Sequence, residues 1–108
     1  MNGPASAGTV PGMNHLTIVA VITAAAGREA FVREQMEGLI APTRAEEGCL
    51  LYDLHVDNDD PRRLLFYETW TSRELWQAHM NSAHIAAYKK ATEGAVAEAA
   101  IHEMTKVA

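Results

Sequence analysis

Cys49-Leu50-Leu51-Tyr52-Asp53-Leu54-His55-Val56-Asp57-Asn58-Asp59-Asp60-Pro61-Arg62-Arg63-Leu64-Leu65-Phe66-Tyr67-Glu68-Thr69-Trp70 is the stretch on which the fold turns. Leu50, Tyr52, Leu54 and Val56 alternate with Cys49, Leu51, Asp53 and His55, the period-two pattern of a strand. The run Asp57 to Pro61 is a dense turn signal. From Leu64 to Trp70 the chain is strand-like again, so the stretch predicts an antiparallel hairpin. Both alternating faces of each strand are largely apolar, so this hairpin expects burial on two sides.

Working outward, His15 to Ile22 is dense in Val, Ile, Leu and Thr without clean alternation, which predicts a strand buried on both faces. Val32, Met36, Leu39, Ile40 and Thr43 then recur at helical spacing, with Arg28, Glu29, Arg33, Glu34 and Glu37 elsewhere on the helix. Pro42 should kink this helix by clashing with the carbonyl of Gly38, and Gly48 should end it in the left-handed conformation. After the hairpin, Thr71-Ser72-Arg73-Glu74 has the form of a capping box, so a helix should begin near Ser72. It should break at Asn81-Ser82, where Ser82 can cap a new turn, and resume towards Gly94. Ala99 to Val107 predicts a last strand.

The predicted order is β-α-β-β-α-β, an α+β ferredoxin-like fold with a four-stranded antiparallel sheet and helices on one face. The uncovered apolar sheet face then needs a partner, and a second copy of the chain is the simplest one. A homodimer, sheet against sheet, is therefore expected.

The 108 residues suit one domain, and the net charge of −5, with nine Lys and Arg dispersed along the chain, argues against nucleic acid or an anionic membrane surface as partner. A small-molecule ligand is easier to accommodate. Residues 1–14, rich in Gly, Pro, Ala and Ser, predict a disordered extension, and residues 15–107 the domain. The apolar run from Leu16 to Ala26, about eleven residues, is well short of the roughly 18 that span a membrane. The single Cys49 can form no intramolecular disulfide and suits a reducing cytoplasm.

Chemistry must come from few groups. There is no Gly-rich phosphate loop, nucleophile elbow, HExxH zinc motif or CxxC pair. The segment from Trp76 to Tyr88 places His79, His84 and Tyr88 in or beside one interrupted helix, with His84 and Tyr88 on a shared face. No Cys or carboxylate joins them at ligand spacing, so a metal is not expected. The plainer alternative makes His79 a helix-face residue packed beside Leu75 and His84 a first-turn residue bonded locally. Glu68 shares a strand face with Phe66 and Trp70, where a buried carboxylate needs a partner, for example a bond that stabilises the dimer. His15, His55 and His102 sit on strands or at their ends and read as structural or solvent-facing.

Three runs carry a resemblance: Leu39-Ile40-Ala41-Pro42-Thr43-Arg44-Ala45-Glu46-Glu47-Gly48-Cys49-Leu50-Leu51-Tyr52, Phe66-Tyr67-Glu68-Thr69-Trp70-Thr71-Ser72, and Ala78-His79-Met80-Asn81-Ser82-Ala83-His84-Ile85-Ala86-Ala87-Tyr88. In this order and spacing the chain resembles the antibiotic biosynthesis monooxygenase family, from His15 to Val107. It is most similar to the quinol monooxygenase group, which shares the pattern of His79, His84 and Tyr88. The resemblance implies a dimeric α+β barrel, a pocket between sheet and helices, and oxidation of quinols or other phenolics by O₂ without a cofactor. Catalysis would fall to His79, His84 and Tyr88, with Trp70, Phe66, Met36, Leu39, Tyr52 and Glu68 around the substrate. Haem degradation, another activity in the family, is disfavoured, because Ala20, His79 and Lys89 stand where that branch has Asn, Trp and His. The alternatives are an isomerase acting on a small carbonyl or sugar-phosphate compound, and a non-catalytic dimeric module.

Overall fold

The computed structural model describes residues 15–108. Its elements are β1 (Leu16–Ala24), α1 (Glu29–Glu37), α2 (Ile40–Arg44), β2 (Cys49–Val56), β3 (Arg63–Trp70), α3 (Arg73–Met80), α4 (Ala83–Ala91) and β4 (Val96–Thr105). The strands lie in the order β2-β3-β1-β4 and every neighbouring pair is antiparallel. This is the ferredoxin-like α+β arrangement, with each helical crossover built from two helices instead of one. The expected extension at residues 1–14 lies outside the described residues.

Proline chemistry explains the first break. Pro42 has no N–H to donate to the Gly38 carbonyl, and the helix parts at Gly38 and Leu39, so that Pro42 falls in the first turn of α2, where no donor is needed. The kink expected at Pro42 is thus a full interruption four residues upstream. The second break also follows from local chemistry, because the Ser82 hydroxyl accepts from the Ile85 amide at 3.3 Å and starts α4. At the start of α3 the cap is Ser72, whose hydroxyl accepts from the Leu75 amide at 3.2 Å, and not Thr71, so the reciprocal box with Glu74 is replaced by a simple serine cap. The last strand begins at Val96, earlier than the pattern indicated, because Gly94 (φ +79°) turns the chain straight after α4.

Register sorts the sheet into two faces. Ile18, Ala20 and Ile22 of β1 pair with Glu68, Phe66 and Leu64 of β3, and this set points at the helices. Tyr52 and Leu54 join it from β2. Trp70, Tyr52, Met36 and Val32 are fully buried here, and each large side chain contributes on the order of 2 to 3 kcal/mol by leaving water. A bulge between Cys49 and Leu51 shifts the alternation, and Leu50 is left half exposed instead of sharing the face of Tyr52.

The opposite face presents Thr17, Val19 and Val21 beside Leu65, Tyr67, His102 and Met104. Within one chain these positions are half-buried or exposed, so β1 is buried on one face and not on both. No helix among the described residues is long and apolar enough to cross a membrane.

Candidate active site

Between the inner sheet face and α1, α3 and α4 lies a cavity of about 300 Å³. Its walls are apolar, with Ile18, Ala20 and Ile22 on the floor and Met36, Leu39, Trp76 and Ile85 above. Tyr52 and Phe66 form one wall as a stacked pair, ring centroids 4.2 Å apart. Five polar side chains break this surface: Tyr52, Glu68, His79, Tyr88 and Thr92, with Lys89 and Glu93 exposed at the rim.

His79 projects from α3 and is 1% exposed. Its ring lies 4.8 Å from Trp70 and 5.5 Å from Tyr52, and its Nδ1 is 2.7 Å from Oε2 of Glu46. The same oxygen lies 2.8 Å from Nε2 of His84. A carboxylate oxygen only accepts, so both ring nitrogens donate to it, which leaves Nε2 of His79 as a free lone pair in the neutral imidazole. Burial lowers the proton affinity of His79, and the Glu46 bond partly offsets this.

Glu46 lies in the loop after α2. Its amide donates to the Thr43 carbonyl at 2.9 Å and its carbonyl accepts from Cys49 at 3.3 Å. Gly48, with φ of +87°, then reverses the chain, and its carbonyl accepts from Thr71 at 2.9 Å, tying the loop to the end of β3. That tie hangs the carboxylate over α3 and α4. The expectation that no carboxylate joins the histidines is therefore overturned: Glu46 reaches them from 33 and 38 residues upstream. Sequence spacing along one helix cannot register such a contact, and nothing local separates Glu46 from its exposed neighbour Glu47.

Of the residues singled out from the sequence, His79, Tyr88, Glu68, Tyr52, Phe66, Met36 and Leu39 line the cavity. Trp70 does not; it is fully buried behind Glu68, to which its indole N–H donates at 2.9 Å. Glu68 thus finds its partner inside the chain and on the cavity side, not at a dimer surface. Burial in these apolar surroundings pushes its pKa up to about 7, against the lowering effect of the indole bond. His84 is also off the cavity, bonded to Glu46 instead of locally, so the shared-face spacing with Tyr88 does not put both groups on one ligand. The Tyr88 hydroxyl is buried without a partner among the described residues, because Thr92 donates to the Tyr88 backbone carbonyl at 2.8 Å and not to the phenol. Trp76 and Met80 complete the walls; both lay in the segment that drew attention, and their helical spacing alone reads equally as core.

Comparison with known proteins agrees with this architecture. Rv0793 of Mycobacterium tuberculosis, named as a candidate monooxygenase, is 36% identical over 58 residues, which are 54% of this chain and 56% of that protein. An uncharacterised protein of Synechocystis, sll1783, is 26% identical over 69 residues, 64% of this chain and 47% of its own. The chain thus matches about half the length of these curated relatives. Among solved structures, PA3566 of Pseudomonas aeruginosa superposes with a TM-score of 0.85 at 33% identity, covering 88% of this chain and 96% of that one. The Rv0793 structure gives 0.80 at 24% identity, covering 87% and 96%, a likeness of fold. The profile of the antibiotic biosynthesis monooxygenase family matches residues 15–91, and the chain belongs to that family.

Proposed function

We propose that this protein oxidises a quinol or related electron-rich phenolic with O₂, without a cofactor, and that His79 is the base. The observation that carries this reading is an imidazole on the wall of an apolar cavity, with one ring nitrogen anchored on Glu46 and the other left to a ligand. Base catalysis needs this combination of a fixed ring, a defined tautomer and a free lone pair.

Nε2 of His79 takes the proton of a substrate hydroxyl. The resulting phenolate passes one electron to O₂, giving a substrate radical and superoxide, which then combine through a new carbon–oxygen bond. The peroxide anion so formed takes up a proton, and loss of water leaves one oxygen atom in the product. Stepwise electron transfer from the anion avoids the spin barrier to a direct reaction with O₂. The chain contributes the deprotonation, the orientation of the ring against Tyr52 and Phe66, and the exclusion of water. Tyr88 supplies an unspent hydroxyl for a substrate oxygen.

A second reading has its own support. Glu68, held as a neutral acid below about pH 7, and His79 line one cavity, an acid and a base such as an isomerase uses next to a carbonyl. Such an enzyme consumes no oxygen. An oxygen-electrode trace with a panel of hydroquinones, EDTA present to suppress metal-driven autoxidation, separates the two. Protein-dependent oxygen uptake supports the oxygenase, and its absence across the panel counts against it.

The homodimer belongs to the same proposal. Val19, Val21, Leu65, Tyr67 and Met104 form an apolar surface that no helix among the described residues covers, and a second copy of the same sheet is its natural complement.

A further inference from the structure

We propose that Glu46, His79 and His84 form a binding site for a divalent transition-metal ion of the Zn²⁺ class, beside the cavity and sharing His79 with it. Oε2 of Glu46, Nδ1 of His79 and Nε2 of His84 all lie within 4.8 Å of one another. The oxygen sits 2.7 and 2.8 Å from the two nitrogens. Ligand atoms about 2.0–2.1 Å from a tetrahedral ion are about 3.3–3.4 Å apart. An ion enters this triad once Oε2 of Glu46 draws back from each nitrogen by about 0.6 Å and the two nitrogens settle at the same separation, provided each imidazole moves its proton to its other nitrogen.

The donor set selects the metal. Two imidazoles and one carboxylate suit Zn²⁺, Co²⁺, Ni²⁺ or Fe²⁺, and not Mg²⁺ or Ca²⁺, which require oxygen ligands. Access and rigidity fit as well. His79 is almost fully buried, whereas the side chains of His84 and Glu46 keep 25% and 18% of their surface, which opens a route from solvent. The three ligands come from the loop after α2, from α3 and from α4, so an ion staples both helices to that loop. Coordination through Nδ1 leaves Nε2 of His79 carrying the proton and unable to act as a base. This last consequence, unlike the binding itself, rests on the oxygenase reading.

The test is equilibrium dialysis of the chelator-stripped, full-length protein against ZnCl₂, with calorimetry for affinity. Wild type should retain one Zn²⁺ per chain, and Co²⁺ in its place should give visible d–d absorption bands. Losing an outer-shell partner alone weakens metal sites by about 10- to 100-fold, so Glu46→Gln and His84→Gln should each weaken binding at least tenfold. His55→Gln and His102→Gln should leave it unchanged, and Mg²⁺ should not bind. His84 is partly exposed, so His84→Gln carries the test should Glu46→Gln misfold. No saturable uptake by wild type overturns the proposal, as does uptake that survives Glu46→Gln or His84→Gln, or that is lost in His55→Gln or His102→Gln. Binding is measured without a substrate, so its failure is separate from failure of the oxygenase reading.

Discussion

The carboxylate of Glu46 accepts from Nδ1 of His79 at 2.7 Å, across 33 residues of sequence. This bond fixes both the tautomer and the tilt of the ring that faces the cavity, and it makes Glu46 a positioning residue. In Glu46→Gln the amide can donate as well as accept, so His79 is free to adopt the other tautomer. The expected outcome is a fall in kcat of at least about tenfold with KM little changed and the fold retained. A merely structural Glu46 instead lowers the melting temperature and leaves kcat per folded molecule intact.

Glu68 makes stability depend on pH in a direction opposite to most carboxylates. Its pKa rises on folding from 4.5 to about 7, so the folded state holds the proton more tightly. The contribution is fully present below about pH 4.5, is lost as pH rises to about 7, and is flat above. Glu68→Gln keeps a neutral acceptor for the Trp70 indole, so the variant should gain on wild type across that window, on the order of 2 to 3 kcal/mol at pH 8 relative to pH 4.5. Denaturant titrations of both proteins from pH 4.5 to 8 give this difference directly, and a pH-independent difference means that Glu68 is not held neutral.

The two glycines with positive φ at the ends of the first helical crossover separate backbone strain from crowding. Gly27 (φ +82°) has open space where a side chain would stand, whereas a Cβ on Gly48 (φ +87°) meets Leu75 Cδ1 at 2.6 Å and Cβ at 2.8 Å. Gly27→Ala should cost about 1 to 2 kcal/mol from the left-handed conformation alone. Gly48→Ala should cost clearly more and loosen the loop that carries Glu46. Equal losses in thermal unfolding contradict the close approach of Leu75.

Tyr67, 42% exposed on the uncovered sheet face, tests the dimer. Wild type should scatter light as a dimer at micromolar concentration, and Tyr67→Lys should dissociate it and lower its melting temperature, because the exposed face then loses its cover. A wild-type monomer mass, or a Tyr67→Lys monomer as stable as the parent, contradicts the sheet-on-sheet account.

Fold and site were legible in the sequence to different degrees, for physical reasons. The hairpin, the Ser82 cap and the turn at Gly48 are set by chemistry within a few residues, and the order of elements follows from them. Which sheet face the helices cover is fixed by register, so the double-sided apolarity of Leu64 to Trp70 was visible while its division into cavity and outer face was not. At the site, His79, Glu68 and Tyr88 stood out as polar groups among apolar neighbours. Glu46 did not, because its role exists only when the loop after α2 folds over α3. His84 and Trp70, expected at the substrate, sit one layer behind the cavity instead, a distinction of direction that spacing on a helix or strand does not encode.

The central claim is that His79 is the base in the cavity, and oxygen uptake by His79→Gln tests it most directly. With a quinol that wild type turns over, EDTA present and the variant verified as folded and of wild-type oligomeric mass, the rate should fall by about 10² to 10⁴. A rate within about twofold of wild type contradicts the claim, since the loss of a general base cannot cost so little.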